Sequence, residues 1–222
     1  SKMAVDLRLL AHMKEFDEPF EQNQVGSSAM AYKRNPMRSE RITSLARYII
    51  NCAGSAADTA AVQWLERSLD DSANRRITIP ECFLAADGIL SLAINVISGG
   101  RVYPKVMEKH LREELPFIAT ENILMDAVSR GGDRQELHEV IRQYSQQAAV
   151  RVKAEGGENN LLSLLLADER FGLTEERLAE VLDVRKFVGC APEQTEKFLK
   201  NEVRPVLAAN ADLQAAEVEI NV

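Results

Sequence analysis

Residues 37–69 read MRSERITSLARYIINCAGSAADTAAVQWLERSL and contain no proline and one glycine, Gly54. One face of this stretch is formed by residues three to four positions apart, namely Ile42, Leu45, Ile49, Ala53, Ala56, Ala60 and Gln63. This spacing predicts a single helix of about 30 residues. Its middle, the small-residue seam Cys52–Ala61, would let neighbouring helices approach closely. A long helix with such a seam is typical of a helical bundle, including bundles built between subunits.

Helical patterns also flank this stretch, so the predicted fold class is all-α. The helices are predicted at Val5–Phe16, Ile77–Ser98 with Pro80 in its first turn, Lys105–Leu115 closed by Pro116, Asp133 to about Ala154, Asn160–Ala167, Thr174–Leu182 and Pro192–Leu207. In the helix predicted at Ile77–Ser98, the buried apolar stripe is predicted to consist of Leu84, Ala85, Ile89, Ala93 and Ile97. The polar segment Ser68–Arg76 is predicted to be a loop or cap, and Val218, Ile220 and Val222 alternate as in a short strand or a frayed end.

Helices become shorter after Gly99–Val102, where we place a domain boundary. The prediction is a long-helix bundle in residues 1–102 followed by a smaller all-helical domain in residues 103–222. The chain opens inside a helical pattern with no cap before it, so we expect it to be part of a longer protein.

Composition excludes several classes of protein. The chain has 27 Lys+Arg and 34 Asp+Glu, a net charge of −7, and 45% hydrophobic residues, as in soluble globular proteins. Its longest uncharged apolar run, Gly88–Gly100, is shorter than the roughly 20 residues of a membrane span, so no membrane association is expected. Three scattered cysteines and three histidines predict neither a disulfide framework nor a metal site, and they fit a reducing cytoplasm. The acidic balance disfavours nucleic-acid binding.

The predicted loop of residues 17–36 carries most of the reactive groups. It contains Pro19, Gly26, two adjacent serines and Pro36, and ordered loops of about 20 residues are usually functional. From Ser27 to Arg47 there are five cationic side chains and one acid, Glu40. A cationic loop that enters a helix favours a site for a small anion, because free backbone N–H groups point outward there. A polar surface loop is the alternative interpretation.

Residues 26–41, GSSAMAYKRNPMRSER, resemble the signature loop of the fumarase/aspartase superfamily, whose usual form is S-S-x-M-P-x-K-x-N-P. Within that superfamily the chain is similar to the adenylosuccinate lyase branch. The resemblance is carried by residues 32–41 (YKRNPMRSER), 62–76 (VQWLERSLDDSANRR), 103–106 (YPKV), 114–117 (ELPF) and 119–122 (ATEN). Ala31 stands where the family usually has proline, which should loosen the loop but removes no reactive group.

The resemblance implies a role for each matching residue. Ser27 would be the general base, Lys33 and Asn35 would hold the charge that develops on the substrate carboxylate, and Glu40 would orient this network. The matching substrate-binding residues are Ser28, Met30, Arg41, Arg67, Ser72 and Arg76. The family's acid histidine lies upstream of this chain, so none of His12, His110 or His138 should inherit that role.

The resemblance further implies a cytoplasmic homotetramer with shared active sites and no metal or organic cofactor. Its substrate would be a small anionic molecule, a succinylated purine nucleotide, from which fumarate is eliminated. The chain would be the C-terminal half of the enzyme and inactive alone. Two alternatives stay open. One is another lyase of the superfamily, of the argininosuccinate lyase type, and the other is a non-catalytic helical oligomerisation module.

Overall fold

The computed structural model describes residues 1–20, 30, 32–65 and 68–213. The helices are α1 (Lys2–His12), α2 (Met37–Ala61), α3 (Asp70–Gly99), α4 (Pro104–Ile118), α5 (Thr120–Ser129), α6 (Arg134–Glu155), α7 (Leu161–Leu166), α8 (Glu175–Val181), α9 (Ala191–Phe198) and α10 (Arg204–Ala209). Two-residue strands, β1 (Phe16–Asp17) and β2 (Arg101–Val102), pair antiparallel, and short 3₁₀ turns cover Glu169–Phe171 and Val184–Phe187. The predicted all-α class is confirmed.

Two compact units make up the chain. The first takes in Ser1–Met107 and the second begins at Glu108. The predicted domains, residues 1–102 and 103–222, stay a proposal, because compactness does not test whether each part folds by itself.

Helices α2 and α3 pack antiparallel in the first unit. The Ser55 hydroxyl of α2 donates to the Asn74 side-chain oxygen of α3 at 2.9 Å, whereas Leu45 of α2 lies beside Gly88 of α3. Two small buried groups join these helices to α1 and the first strand: Ala4 with Ile42 and Leu92, and Leu7 with Phe16 and Val96. This packing places the start of α2 next to α1 and β1.

Three predicted helix boundaries in the first unit are wrong. Helix α1 ends at His12, and Phe16 lies in strand β1. Helix α2 ends at Ala61 and not at Leu69, because the chain must leave the helix to turn back. In the segment Ser68–Arg76, predicted to be a loop or cap, α3 already begins at Asp70 after the cap residue Leu69. The first-turn acids Asp70 and Asp71 are favoured at the positive end of the helix dipole. Pro80 is therefore interior and not in the first turn.

The buried stripe of α3 also differs from the prediction. The structure buries Ala85, as predicted, together with Leu92 and Val96, while Leu84 is 68% exposed and Ile97 is 59% exposed. Ile89 and Ala93 are only partly buried, against the first of the two small groups. Because α3 is apolar on several faces, periodicity cannot select the face that meets α1 and α2.

By length and composition alone, α3 is long and apolar enough to cross a membrane. Its longest uncharged run, Gly88–Gly100, is by itself too short to do so. Only 11% of its most apolar 18-residue window is buried within the chain. A single helix of this kind is weak evidence for a membrane span, since a helix of a soluble bundle passes the same test. The exposed apolar side chains of α3 include Ile77, Phe83, Leu90 and Ile94, and a surface of this kind is typical of one that another helix covers.

The second unit is built around the largest buried group of apolar side chains, which α5–α8 and the 3₁₀ turn Glu169–Phe171 contribute. Its fully buried members include Ile123, Leu137, Leu161, Leu165 and Phe171. Sequence signals predicted α6 well: Asp133 caps its start and Gly156 follows its end.

Other helix predictions in the second unit need correction. Helix α4 continues through Pro116 to Ile118, and α5 was not predicted. The single helix predicted at Pro192–Leu207 is interrupted by a π-helical turn at Leu199–Val203. The interruption precedes Pro205, which has no N–H to continue the regular ladder. The predicted strand at Val218–Val222 lies outside the described residues.

Candidate active site

The start of α2 is held by the segment that precedes the signature loop. Pro36 occupies the cap position, and no side-chain cap comes from within the helix. Instead, the Glu18 carboxylate accepts hydrogen bonds from the backbone N–H groups of Arg38 at 2.9 Å and Ser39 at 2.6 Å. The Arg38 guanidinium donates in return to the carbonyl of Pro19. The two sides of the loop are thereby joined at its base.

A second set of contacts lies beside this one. Asp17 accepts a hydrogen bond from the Tyr103 hydroxyl at 2.7 Å, and this bond raises the pKa of Tyr103 above its usual value. The Arg34 guanidinium lies 3.8 Å from the Asp17 carboxylate and 4.6 Å from the centre of the Phe20 ring. Arg34 and Arg38 therefore make structural contacts.

An open cleft of about 460 Å³ separates α1 from the entry into α2. The cleft brings together Asn35 and Glu40, two of the predicted catalytic residues. Its wall is completed by Val5, Arg8, Leu9, Ala11, His12, Arg34 and Pro36. The lining therefore includes two arginines, a histidine, an asparagine and a glutamate, a set of residues that suits a small anionic ligand.

Sequence reasoning missed Arg8 and His12 as lining residues of this cleft. Both lie on α1, four positions apart and thus on the same face of that helix. That spacing could have shown that the two side chains lie on one face of a helix. It could not have shown that the face meets Asn35, which lies 23 positions further along the chain.

The other predicted site residues lie at several places in the first unit. Lys33 is exposed, and its backbone N–H donates to the carbonyl of Met30 at 2.9 Å. Ser72 is buried in the first turn of α3, where its hydroxyl donates to the Ser68 carbonyl at 2.7 Å. Met30 and the helical side chains of Arg41 and Arg76 are exposed. Ser27, Ser28 and Arg67 lie outside the described residues.

The described part of the chain contains no cluster of three or more His, Cys, Asp or Glu side chains that could hold a metal ion. The polar residues that line the cleft are of types that bind an organic anion and take part in proton transfer.

Two family models match the chain. Residues 116–198 match the model described as adenylosuccinate lyase C-terminus, and residues 1–51 match the model described as lyase. Together they cover parts of both units, including α1 and the first half of α2.

Curated relatives are similar over nearly the whole chain. The adenylosuccinate lyase of Schizosaccharomyces pombe is 55% identical over 93% of this chain and 43% of its own length. The enzyme of Saccharomyces cerevisiae is 53% identical over 100% of this chain and 46% of its own length, and that of Schistosoma mansoni is 49% identical over the same shares. The chain thus spans less than half the length of these relatives.

Solved structures show the same fold at lower identity. The 3-carboxy-cis,cis-muconate lactonizing enzyme of Pseudomonas putida matches 91% of this chain and 44% of its own, with a TM-score of 0.75 and 23% identity. The fumarate lyase of Mesorhizobium sp. BNC1 matches 90% of this chain and 43% of its own, with a TM-score of 0.69 and 24% identity. Family models and relatives agree: the chain is similar to a part of adenylosuccinate lyases that includes their C-terminal region, and the solved structures share its fold.

Proposed function

We propose that the full-length protein is an adenylosuccinate lyase. It eliminates fumarate from adenylosuccinate, leaving AMP, and from the succinyl-aminoimidazole-carboxamide ribotide of purine nucleotide biosynthesis. The observation that carries this proposal is the 49–55% identity, over at least 93% of the chain, to three relatives that bear this name. The open cleft lined by Asn35, Glu40 and cationic groups supports it.

The elimination needs a base, and we assign this role to Ser27. A serine hydroxyl is a weak base unless its alkoxide is stabilised, so the site must supply a positive field. Lys33 provides that charge. Removing the proton beside a succinyl carboxylate leaves a carbanion that delocalises into the carboxylate, and Lys33 and Asn35 hold the resulting dianion. Glu40 orients this network from the first turn of α2.

Arginines anchor the substrate in this proposal. Guanidinium groups bind phosphate and carboxylate through two parallel hydrogen bonds, which suits Arg41, Arg67 and Arg76 to a succinylated nucleotide. Ser28, Met30 and Ser72 complete the proposed substrate contacts. A histidine from a segment outside these 222 residues protonates the leaving nitrogen.

The exposed surfaces of α2 and α3 support a homotetramer whose active sites combine several subunits. Most of the small-residue seam is exposed in the single chain, and a Cβ added at Gly54 would meet no atom within 4 Å. The apolar side chains of α3 are exposed as well. Further copies of the long helices would cover both surfaces. We place this tetramer in the cytoplasm, with no cofactor and no nucleic-acid partner.

Substitution of the two serines tests the assignment of the base. In the full-length protein, Ser27→Ala should leave the helical assembly and substrate binding intact and lower turnover by at least the ~10²–10⁴-fold of a lost general base. Ser28→Ala is the matched control and should cost clearly less. Fumarate release with both succinylated substrates is the measurement. If Ser28→Ala is the inactive variant, the base is one residue further along, and if neither loses activity the base lies elsewhere.

The same assay separates the alternatives. Fumarate release from argininosuccinate but not from adenylosuccinate would indicate a different lyase of the superfamily, and the fold is compatible with that, because lactonizing enzymes and fumarate lyases share it. A full-length protein that assembles but releases no fumarate from either substrate would be a helical oligomerisation module.

A further inference from the structure

We propose that Glu18 is a positioning residue for the elimination, because it fixes the turn of α2 that presents Asn35 and Glu40 to the cleft. This inference rests on the proposed function. Glu18 lies outside the signature loop, and its partners are 20 and 21 residues away along the chain.

The start of α2 depends on Glu18. The first N–H groups of a helix have no partner within the helix, and an uncapped end frays. Pro36, at the cap position, offers no side-chain acceptor, whereas the Glu18 carboxylate accepts from two of the first-turn N–H groups at 2.9 and 2.6 Å. Its negative charge is also favoured at this end of the helix dipole.

The contact is reciprocal and partly buried. Arg38 uses its backbone N–H to bind Glu18 and its guanidinium to bind the Pro19 carbonyl. Arg38 is 2% exposed and Ser39 is fully buried. Hydrogen bonds that involve a charged group are stronger in such surroundings than at the surface, so the contact resists opening.

Glu18 is itself held by a rigid support. The preceding residues, Phe16 and Asp17, pair with β2. A Cβ added at Gly99 would lie 2.6 Å from Pro19 Cγ, and one added at Gly100 would overlap the Phe16 ring. The two glycines therefore let residues 16–19 pack directly against the end of α3. This packing fixes the position of Glu18, and Glu18 in turn fixes the start of α2.

The two cleft residues flank the turn that Glu18 stabilises. The Asn35 carbonyl accepts from the Met37 N–H at 2.8 Å, and the Glu40 N–H donates to the Pro36 carbonyl at 2.9 Å. Fraying of this turn would move the Asn35 amide and the Glu40 carboxylate relative to α1. Displacement of catalytic groups by about 1 Å can cost about 100-fold in rate.

The test compares two helix caps of the same chemistry in the full-length protein. Asp133 caps α6 by accepting from the N–H groups of Gln135 and Glu136, both at 2.9 Å, and it is not among the proposed site residues. Glu18→Ala and Asp133→Ala should both lower the thermal midpoint. At a temperature where both remain folded, only Glu18→Ala should lower kcat, by about 10- to 100-fold. The KM for adenylosuccinate should change less.

A conservative variant, Glu18→Gln, and a hydrogen-exchange measurement complete the test. Glu18→Gln retains one acceptor oxygen, so it should fold and lose less activity than Glu18→Ala. Hydrogen exchange at the Arg38 and Ser39 amides should speed up in Glu18→Ala, independently of any activity. The proposal is wrong if kcat stays within twofold of the parent value, or if these amides exchange unchanged. Failure of the proposed function would look different, since the parent protein itself would release no fumarate, and that result would overturn both.

Discussion

Asp168 makes the stability of the second unit depend on pH. Its carboxylate accepts three hydrogen bonds from the Arg170 guanidinium, at 2.6, 2.9 and 3.2 Å. It also accepts one from the backbone N–H of Arg170 at 3.0 Å and one from the Tyr144 hydroxyl at 3.0 Å. These bonds, led by those from the Arg170 side chain, hold the pKa of Asp168 at about 2 although burial opposes ionisation. The side chain is only 7% exposed, so solvent screens the interaction little.

Acid should therefore remove stability through this residue. An aspartate in the unfolded chain takes up its proton near pH 3.8, before the folded one does, so falling pH favours unfolding. The contribution of Asp168 to the free energy of unfolding is complete above pH 5. It should fall by about 1 kcal/mol between pH 5 and pH 3. Urea unfolding of the parent and of Asp168→Asn at both pH values measures it. The variant should lose less stability on acidification, and equal losses would contradict the assignment.

At the scale of single elements, α6 shows how local signals set both ends of a helix. Asp133 accepts from the N–H groups of the first turn. Gly156 follows the last turn with φ +65° and ψ +20°, a left-handed conformation that glycine adopts without strain, and the Gly157 N–H binds the Arg151 carbonyl at 3.0 Å.

Substitution of Gly156 isolates the cost of that conformation. A Cβ at this position would meet no atom within 4 Å, so Gly156→Ala should lose about 1 kcal/mol of folding free energy through backbone strain alone. Gly156→Asn should lose less, because asparagine tolerates the left-handed region better than alanine. Urea unfolding compares the two variants. An alanine variant as stable as the parent would mean that the helix ends differently.

At the scale of the whole molecule, the proposed assembly would cover the exposed surfaces of α2 and α3 with helices of other subunits. In the full-length protein, Ala57→Leu places a larger side chain in the exposed small-residue seam and should overpack the proposed contact between subunits, at about 1–3 kcal/mol per site. Ala154→Leu, at an exposed position in the last turn of α6, is the matched control and should leave the assembly unchanged. Light scattering across a range of protein concentrations is the measurement. A parent protein that stays a monomer would contradict the proposed tetramer.

Local sequence signals were enough for the helical class and for both ends of α6. Each of these depends on residues a few positions apart: apolar side chains at helical spacing, a capping carboxylate and the next amides, or a glycine after the last turn. Interactions over such short separations form with little loss of chain entropy, so the same pattern gives the same local structure in different surroundings.

Contacts between distant residues decided the rest. The end of α2 and the start of α3 follow from the antiparallel packing of the two helices. The buried face of α3 follows from where α1 and α2 lie against it, since its own apolar pattern allows several faces. The cleft of Asn35 and Glu40 needs α1, and the cap of α2 needs Glu18 from the far side of the loop. Such pairings become visible only when the folded core brings the partners together, because their separation along the chain leaves no periodic or local trace in the sequence.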